Sequence, residues 1–542
     1  MKAKAHLEEA IVLNPEFAEA YYKLGLLFKK EGDREKALDH FRKAVSLDGE
    51  FAEAECELAI SLATEKDFET ARNHFLNALE INPNFADAYF HYALLLVELK
   101  DFEEAKNNFD KVTEINQNYA SAYFQKAKLL INADDFDSAR KNYETAIDID
   151  ESFAEAHYYL GKLLSGGIAT DKEGSIVDKT NLPEAEERFK EVLKLDAEHA
   201  KAHYNLAGIL SKKKNFRGAK THLLKALEID EGYSKAHYLL AHVHAETGGK
   251  EKAKAHFQLS IDHFEENAMA HFRLGVILYE EGNLEMASDH LTKSVSIDQN
   301  HAEANFYLAM ILREDDDPGL AKKHFYRALD INPDFALAYY ELAHHSEKHG
   351  DLNEAKIHFQ KATDIDQNFV EAYFNLARIL TNPSEYDQAI RNYETALEIN
   401  PDFAECHYWF SKLLVAGERL ESDGTLIKKS DPQRAERHLR KAIAIDPRFS
   451  KAFYRLGLLL NEQEKYADAY DQLDRAIEIN PKFAKAHYHI AVLLMNEKAA
   501  KALSRAKRSN AGSSANGRKP PASKSKRRRT VAKRATTRKK AG

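Results

Sequence analysis

Apolar and polar positions alternate along this chain with a helical period, and the alternation itself repeats. Between Ser450 and Phe483 apolar positions fall at Phe453, Leu456, Gly457 and Leu460, one face at 3.6-residue spacing, and Ala469, Leu473 and Ala476 make a second face. A charged stretch, NEQEK, separates the two faces, and Asn480-Pro481 follows the second. Proline has no N–H to continue a helix and pushes the residue before it out of the α region. The pattern predicts helix, turn, helix, stop. It recurs every 34 residues, so that alanine stands at Ala3, Ala37, Ala71 and onward through Ala219, Ala355 and Ala435, and a small residue at Gly25, Ala59, Gly161, Gly275 and Ser411. Small residues at fixed places on both helices let two backbones approach; a leucine at Ala219 or Ala355 would overpack the crossing at a cost of about 1–3 kcal/mol.

The first 17 residues match only a second helix, so the array opens in mid-repeat. Thirteen units span 18–483, and a closing first helix runs to about 497. The units 154–199 and 404–449 each carry 12 extra residues between their helices, near 167–180 and 417–430. In both, a short apolar stretch, a polar turn with Gly174 or Gly424, and a second stretch, Ile176-Val177 or Leu426-Ile427, predict a small β-hairpin. The two lie 250 residues apart, and Asn142-Tyr143-Glu144-Thr145-Ala146 recurs at the same offset as Asn392-Tyr393-Glu394-Thr395-Ala396, which points to tandem duplication of seven repeats. The expected organisation is one array, 1–497, and one tail, 498–542, because neighbouring repeats bury a continuous core.

These residues resemble the tetratricopeptide repeat (TPR) family, whose 34-residue pattern sets an aromatic, Leu-Gly, Ala, Phe, Ala and Pro at fixed places. Phe41, Phe75, Phe109, Tyr143, Phe189, Phe257, Phe325, Phe359 and Tyr393 fill the Phe place, and Pro15, Pro83, Pro333, Pro401, Pro447 and Pro481 the Pro place. The resemblance covers Lys2 to about Asn496. It implies an all-α, right-handed superhelix (solenoid) of helix-turn-helix repeats whose first helices line a concave groove for partner proteins or peptides. The groove row of the first helices is aromatic in all but one case: Tyr22, Phe90, Phe124, Tyr158, Tyr204, Tyr238, Phe272, Phe306, Tyr340, Phe374, Tyr408, Tyr454 and Tyr488, with Cys56 the exception. Two chemistries known in the family are not met. A carboxylate clamp requires lysine where this row is aromatic, and an asparagine ladder requires Asn at the next place, where only Asn205 and Asn375 comply. That next row is varied and includes Arg273 and Trp409. Variation of this kind fits a particular partner, held by amphipathic side chains.

Charge divides the chain in two. From Lys498 to Gly542 there are 17 Lys plus Arg and no Asp or Glu, which leaves 61 positive against 87 negative in the rest, a net −26. With almost no large apolar residues, this basic C-terminal segment is expected to be disordered when free. Its clusters, Lys524, Lys526, Arg527, Arg528 and Arg529, then Lys533 and Arg534, then Arg538, Lys539 and Lys540, resemble a nuclear-localisation signal and linker-histone tails. Such a segment binds DNA or RNA by releasing counterions, without reading sequence.

Other features narrow the class. No leader with an apolar core opens the chain, and no run approaches a membrane span. Cys56 and Cys406 are the only cysteines and lie ten repeats apart, so a reducing intracellular setting, cytoplasmic or nuclear/nucleoid-associated, is expected. Histidines recur in register, as at His203, His237, His271 and His407 on first helices and His222, His256, His290 and His438 on second helices. Equivalent places on stacked repeats lie about 8–10 Å apart, whereas zinc holds its ligands at about 2 Å, so no metal ladder is expected. There is no phosphate loop and no distinguished carboxylate pair; the chain reads as a scaffold without catalysis or cofactor. Two other readings stay open: a targeting or substrate-recruiting subunit of a protein-modifying transferase assembly, and self-association into filaments through the half-repeats at each end.

Overall fold

The computed structural model describes residues 2–130, 135–170, 176–313, 318–420, 425–428, 430–496 and 498–505. The chain divides between Gln299 and Asn300 into two compact units. Both are arrays of helical hairpins. Within a unit each first helix packs along the second helix of its own repeat, as Ala200–Lys212 does on Phe216–Ile229, and each second helix packs on the first helix that follows.

Local chemistry fixes the ends of the helices. Second helices commonly start at an Asp or Asn whose side chain accepts the backbone N–H three residues on, as at Asp33, Asp67, Asp101, Asn215 and Asp351. The chain leaves the first helix through one left-handed residue, which is Gly32, Gly248, Gly282 or Gly350 in some repeats and Lys66, Lys100, Lys214 or Glu464 in others. Between repeats the sequence reading credits proline with the stop. The structure gives much of that task to the residue before it: Asn14, Asp48, Asn82, Asn116, Asp150, Asp196, Asp446 and Asn480 each accept the backbone N–H two residues on, closing a tight turn with or without Pro.

The core of each unit is the crossing of the two helices. The alanines of the second helices, Ala219 and Ala355 among them, are fully buried, and so are the aromatics Phe41, Phe109, Phe189, Phe325 and Phe359. A Cβ on Gly457 would lie 2.7 Å from Leu473 Cγ, and one on Gly25 2.7 Å from the Phe41 ring, so these backbones approach as closely as glycine permits.

Both insertions form antiparallel hairpins. In the first unit β1 (Ile168–Thr170) pairs with β2 (Ile176–Asp178), Ala169 opposite Val177; in the second β3 (Glu418–Leu420) pairs with β4 (Leu426–Lys428), Arg419 opposite Ile427. Gly174 and Gly424 lie outside the described residues. At the root of the first hairpin Lys179 N donates to Gly167 O at 2.6 Å, and a Cβ on Gly167 would meet the Lys179 carbonyl at 2.9 Å and the Phe136 ring at 3.0 Å.

One boundary differs from the sequence reading, which begins the tail at Lys498. Residues 498–505 are helical: the Asn496 side chain accepts from the backbone of Lys498 and Ala499, and Ala499 is fully buried in a cluster with Leu493. The basic residues Lys524, Lys526, Arg527, Arg528, Arg529, Lys533, Arg534, Arg538, Lys539 and Lys540 lie outside the described residues. Among those described, no helix is long and apolar enough to cross a membrane.

Candidate peptide-binding groove

The aromatic row separates by residue type. Phe90, Phe124, Phe272, Phe306 and Phe374 are buried, 5–9 % exposed, whereas Tyr22, Tyr158, Tyr204, Tyr238, Tyr340, Tyr408 and Tyr454 are half-buried and Tyr488 is 65 % exposed. The rings have a recurrent packing partner, which the sequence reading missed. Most lie against the residue just ahead of the next first helix, with centroids 4.8–5.1 Å apart, as Tyr22 on Phe51, Phe90 on Tyr119, Tyr204 on Tyr233, Tyr340 on Phe369 and Tyr408 on Phe449, whereas Tyr238 meets Phe257 at 5.6 Å. The signal was present, since those partners are nearly all aromatic at a fixed place. One ring face therefore seals the joint between repeats. The tyrosine adds a hydroxyl at the edge where phenylalanine ends.

In the first unit the first helices Ala154–Ser165, Ala200–Lys212 and Ser234–Glu246 frame a groove of about 800 Å³. Tyr158, Tyr204, Tyr238, Asn205, Lys162, Lys201 and Lys235 line it, with Tyr233, Ser234, Phe264 and Asn267. Asn205 Nδ2 donates to the Tyr158 hydroxyl at 3.3 Å and to Lys201 O at 2.8 Å. In the second unit Asn375 repeats this arrangement, donating to the Tyr340 hydroxyl at 3.2 Å and to Glu371 O at 2.9 Å, while its Oδ1 accepts from Arg378 Nε at 3.2 Å. The two asparagines thus tie one repeat to the next. Burial raises the phenols of Tyr158 and Tyr204, and burial together with Glu341 and Glu371 pushes Tyr340 up to about 12, so all three stay protonated and able to donate.

Trp409 donates from Nε1 to Glu405 at 3.3 Å and carries Lys412 Nζ 3.7 Å from its ring centroid; Arg273 lies 5.4 Å from the Phe272 ring. Cys56, the exception in the aromatic row, and Cys406 are both buried, and desolvation pushes each thiol up to about 12.

The sequence reading compared histidines of neighbouring repeats; the structure pairs them inside one repeat. His203 and His222 meet Nδ1 to Nδ1 at 2.9 Å, His237 and His256 at 3.2 Å, His271 and His290 at 3.0 Å, and His407 and His438 at 2.7 Å. In each pair the first-helix ring also places Nε2 3.0–3.2 Å from a backbone carbonyl, of Ala197, Glu231, Glu265 and Pro401 in turn. A carbonyl only accepts, so Nε2 carries the hydrogen, Nδ1 of that ring is the acceptor, and the second-helix ring donates from its own Nδ1. Both rings are neutral. Burial, the largest cause in each, lowers the pKa of all eight, and His256 and His438 fall to about 4. Glu55 with His74 at 2.5 Å and Asn305 with His324 at 3.0 Å occupy the same two places in other repeats. Among the described residues no three His, Cys, Asp or Glu side chains gather to hold a metal.

Arrays of helical hairpins with this groove define a class of binding scaffold, and the comparisons with known proteins supply the family. Models described as "Tetratricopeptide repeat" match residues 18–51, 62–129, 177–243, 238–302, 312–380 and 450–483, and one described as "TPR repeat" matches 130–165 and 378–414. The chain belongs to the tetratricopeptide repeat family. No curated protein matches it. Among solved structures it is similar to yeast Tom70 (16 % identity over 90 % of this chain and 99 % of that one, TM-score 0.31). It is also similar to the APC/C hetero-tetramer Cut9-Hcn1 (18 %, 93 % and 92 %, 0.35). A third is YrrB, described as a TPR protein with an unusual peptide-binding site (24 %, 34 % and 95 %, 0.31).

Proposed function

We propose that this chain is a non-catalytic scaffold that holds a protein or peptide against its first helices. The observation that carries the reading is the groove of about 800 Å³ in the first unit, where half-buried tyrosines and Asn205 stand beside lysines. Aromatic bodies with polar tips supply contact area and hydrogen bonds together, the combination that recognises peptide. Selection of a random-peptide library on the full chain tests it. Peptides are expected to be enriched that bind the chain but lose about tenfold or more in affinity on Tyr204→Ala with Tyr238→Ala. Enriched peptides indifferent to both substitutions would overturn the groove reading.

A second reading concerns the C-terminal segment and rests on its 17 basic and no acidic residues. We infer that it tethers the scaffold to nucleic acid or addresses it to the nucleus. Fluorescence anisotropy with random duplex DNA is expected to show binding by the whole chain and none by a chain ending at Arg505. If about eight phosphates are neutralised, the log–log salt slope is near −7. Equal binding by both chains, or by neither, would remove the nucleic-acid arm.

A further inference from the structure

The groove of the first unit carries a charge that sets it apart. At the second place half of the first helices carry an acid, as at Glu19, Glu53 and Asp87, yet Lys201 and Lys235 occupy it here, and Lys162 projects from the helix before. No carboxylate lines the groove, and none of the three lysines has an ion-pair partner among the described residues, whereas Lys29, Lys213 and Lys254 pair with Glu57, Glu186 and Glu281 of adjoining repeats. The internal duplication carries the same three positions into the second unit as Lys412, Lys451 and Lys485, with no ion pair among the described residues, on the first helices that carry Tyr408, Tyr454 and Tyr488. There Lys412 packs on Trp409, and its ammonium is held below the usual lysine range by burial and by the charges of Arg455 and Lys451. Unpaired like charges gathered on one face are unfavourable until a counter-charge arrives. The lysines recur at the offset of the duplication, there with Glu405 and Glu462 close to Lys412, in a chain that is net −26 outside its tail.

We propose that the Lys162, Lys201 and Lys235 patch, and its counterpart at Lys412, Lys451 and Lys485, each bind an acidic peptide segment, the ammonium groups and tyrosine hydroxyls receiving its side-chain carboxylates. The proposal rests on the groove reading and deepens it. Three lysines on three successive first helices, roughly 10 Å from one helix to the next, spread positive charge along a segment rather than gathering it at one terminal carboxylate. Single-stranded nucleic acid fits less well: Tyr158 and Tyr204 already spend one ring face on His199 and Tyr233, at 4.9 and 5.1 Å, and base stacking needs open platforms.

The single tryptophan, Trp409, lies beside Lys412 of the second patch and reports on it. The full chain is titrated with a short peptide of alternating Asp and Glu, N-acetylated and C-amidated, then with its Asn/Gln counterpart and with an oligodeoxythymidylate of equal length. The acidic peptide is expected to change Trp409 emission saturably, and Lys451→Glu with Lys485→Glu to weaken that response at least about tenfold. Lys201→Glu with Lys235→Glu should leave the emission response and remove one bound peptide by calorimetry. These lysines are exposed, and matched circular dichroism secures the fold of each variant. An emission response absent, shared by the Asn/Gln peptide, indifferent to the charge reversals, or given by the oligonucleotide instead would overturn the proposal. Library peptides that need Tyr204 but carry no acid would sustain the groove reading and overturn this one alone.

Discussion

Replacing Phe359 by alanine is expected to cost about 3–5 kcal/mol, the range for emptying a buried phenylalanine site. Phe359 is fully buried in the second unit, meets Tyr340 and His344 edge to face at 5.6 and 5.1 Å, and packs beside Leu376, Ile379 and the small residues Ala343 and Ala355. The helices around it are already in contact through alanine and cannot close over the void. Because a repeat array is held by nearest-neighbour contacts, the loss should concentrate in the second unit. Urea unfolding followed by helical circular dichroism should show part of the transition moving to lower denaturant while the rest keeps its midpoint. Phe359→Leu should recover most of the difference. A loss below about 1 kcal/mol would mean that the buried phenylalanines of the second helices are not what holds the crossing.

Acidification from pH 7 to pH 5 is expected to lower the melting temperature, and the histidine pairs are the cause. Their folded pKa values lie below the ordinary 6.5, down to about 4 for His256 and His438, so the unfolded chain takes up protons first. Their contribution is complete above about pH 6.5 and is lost as pH falls through the folded values, near 4 for His256 and His438. Discounted for the solvent that reaches the second-helix rings, the contribution of His256 or of His438 is on the order of 1–2 kcal/mol. The neighbours do not reverse the sign: His237, His244 and Lys252 all lower His256, and against His438 the charges of His407, Arg434 and Arg437 outweigh Asp431. Glu354, held near 2 by Lys322, Tyr326 and Ser346 against its burial, begins to lose its own contribution only below its ordinary 4.5, so the interval above that belongs to histidine. Three of the four pairs lie in the first unit, whose transition should move further. His256→Asn, which places there the residue found at Asn108 and Asn392, should flatten part of the dependence. A melting temperature constant between pH 7 and 5 would contradict the neutral-pair assignment.

What the sequence made legible is what recurs. The helix pair, the small residues at its crossing, the hairpins and their duplication all follow from period and spacing, because one physical requirement is met thirteen times over. The histidine pairing was harder to read, since it joins positions 19 residues apart on two helices, or 31 across an insertion, and periodicity along one helix says nothing about the facing one. The aromatic row misleads in a related way. Phe124 and Tyr158 occupy the same place in the pattern, yet the first is buried and the second half-exposed with its hydroxyl on Asn205. Only the packed joint against Phe153 and His199 shows how much of each ring is left for a partner. The lysines of the groove escaped notice because each is ordinary by itself; what distinguishes them is the lack of a carboxylate nearby, which sequence order does not display.

The central claim is that a partner lies along the first helices, and lysine footprinting tests it most directly. The full chain would be acetylated with and without the amidated Asp/Glu peptide and read residue by residue by mass spectrometry. The account predicts shielding of Lys162, Lys201 and Lys235, with Lys220 and Lys252 on the second helices as reactive as before. Shielding confined to the basic C-terminal segment, or spread equally over first and second helices, would contradict it.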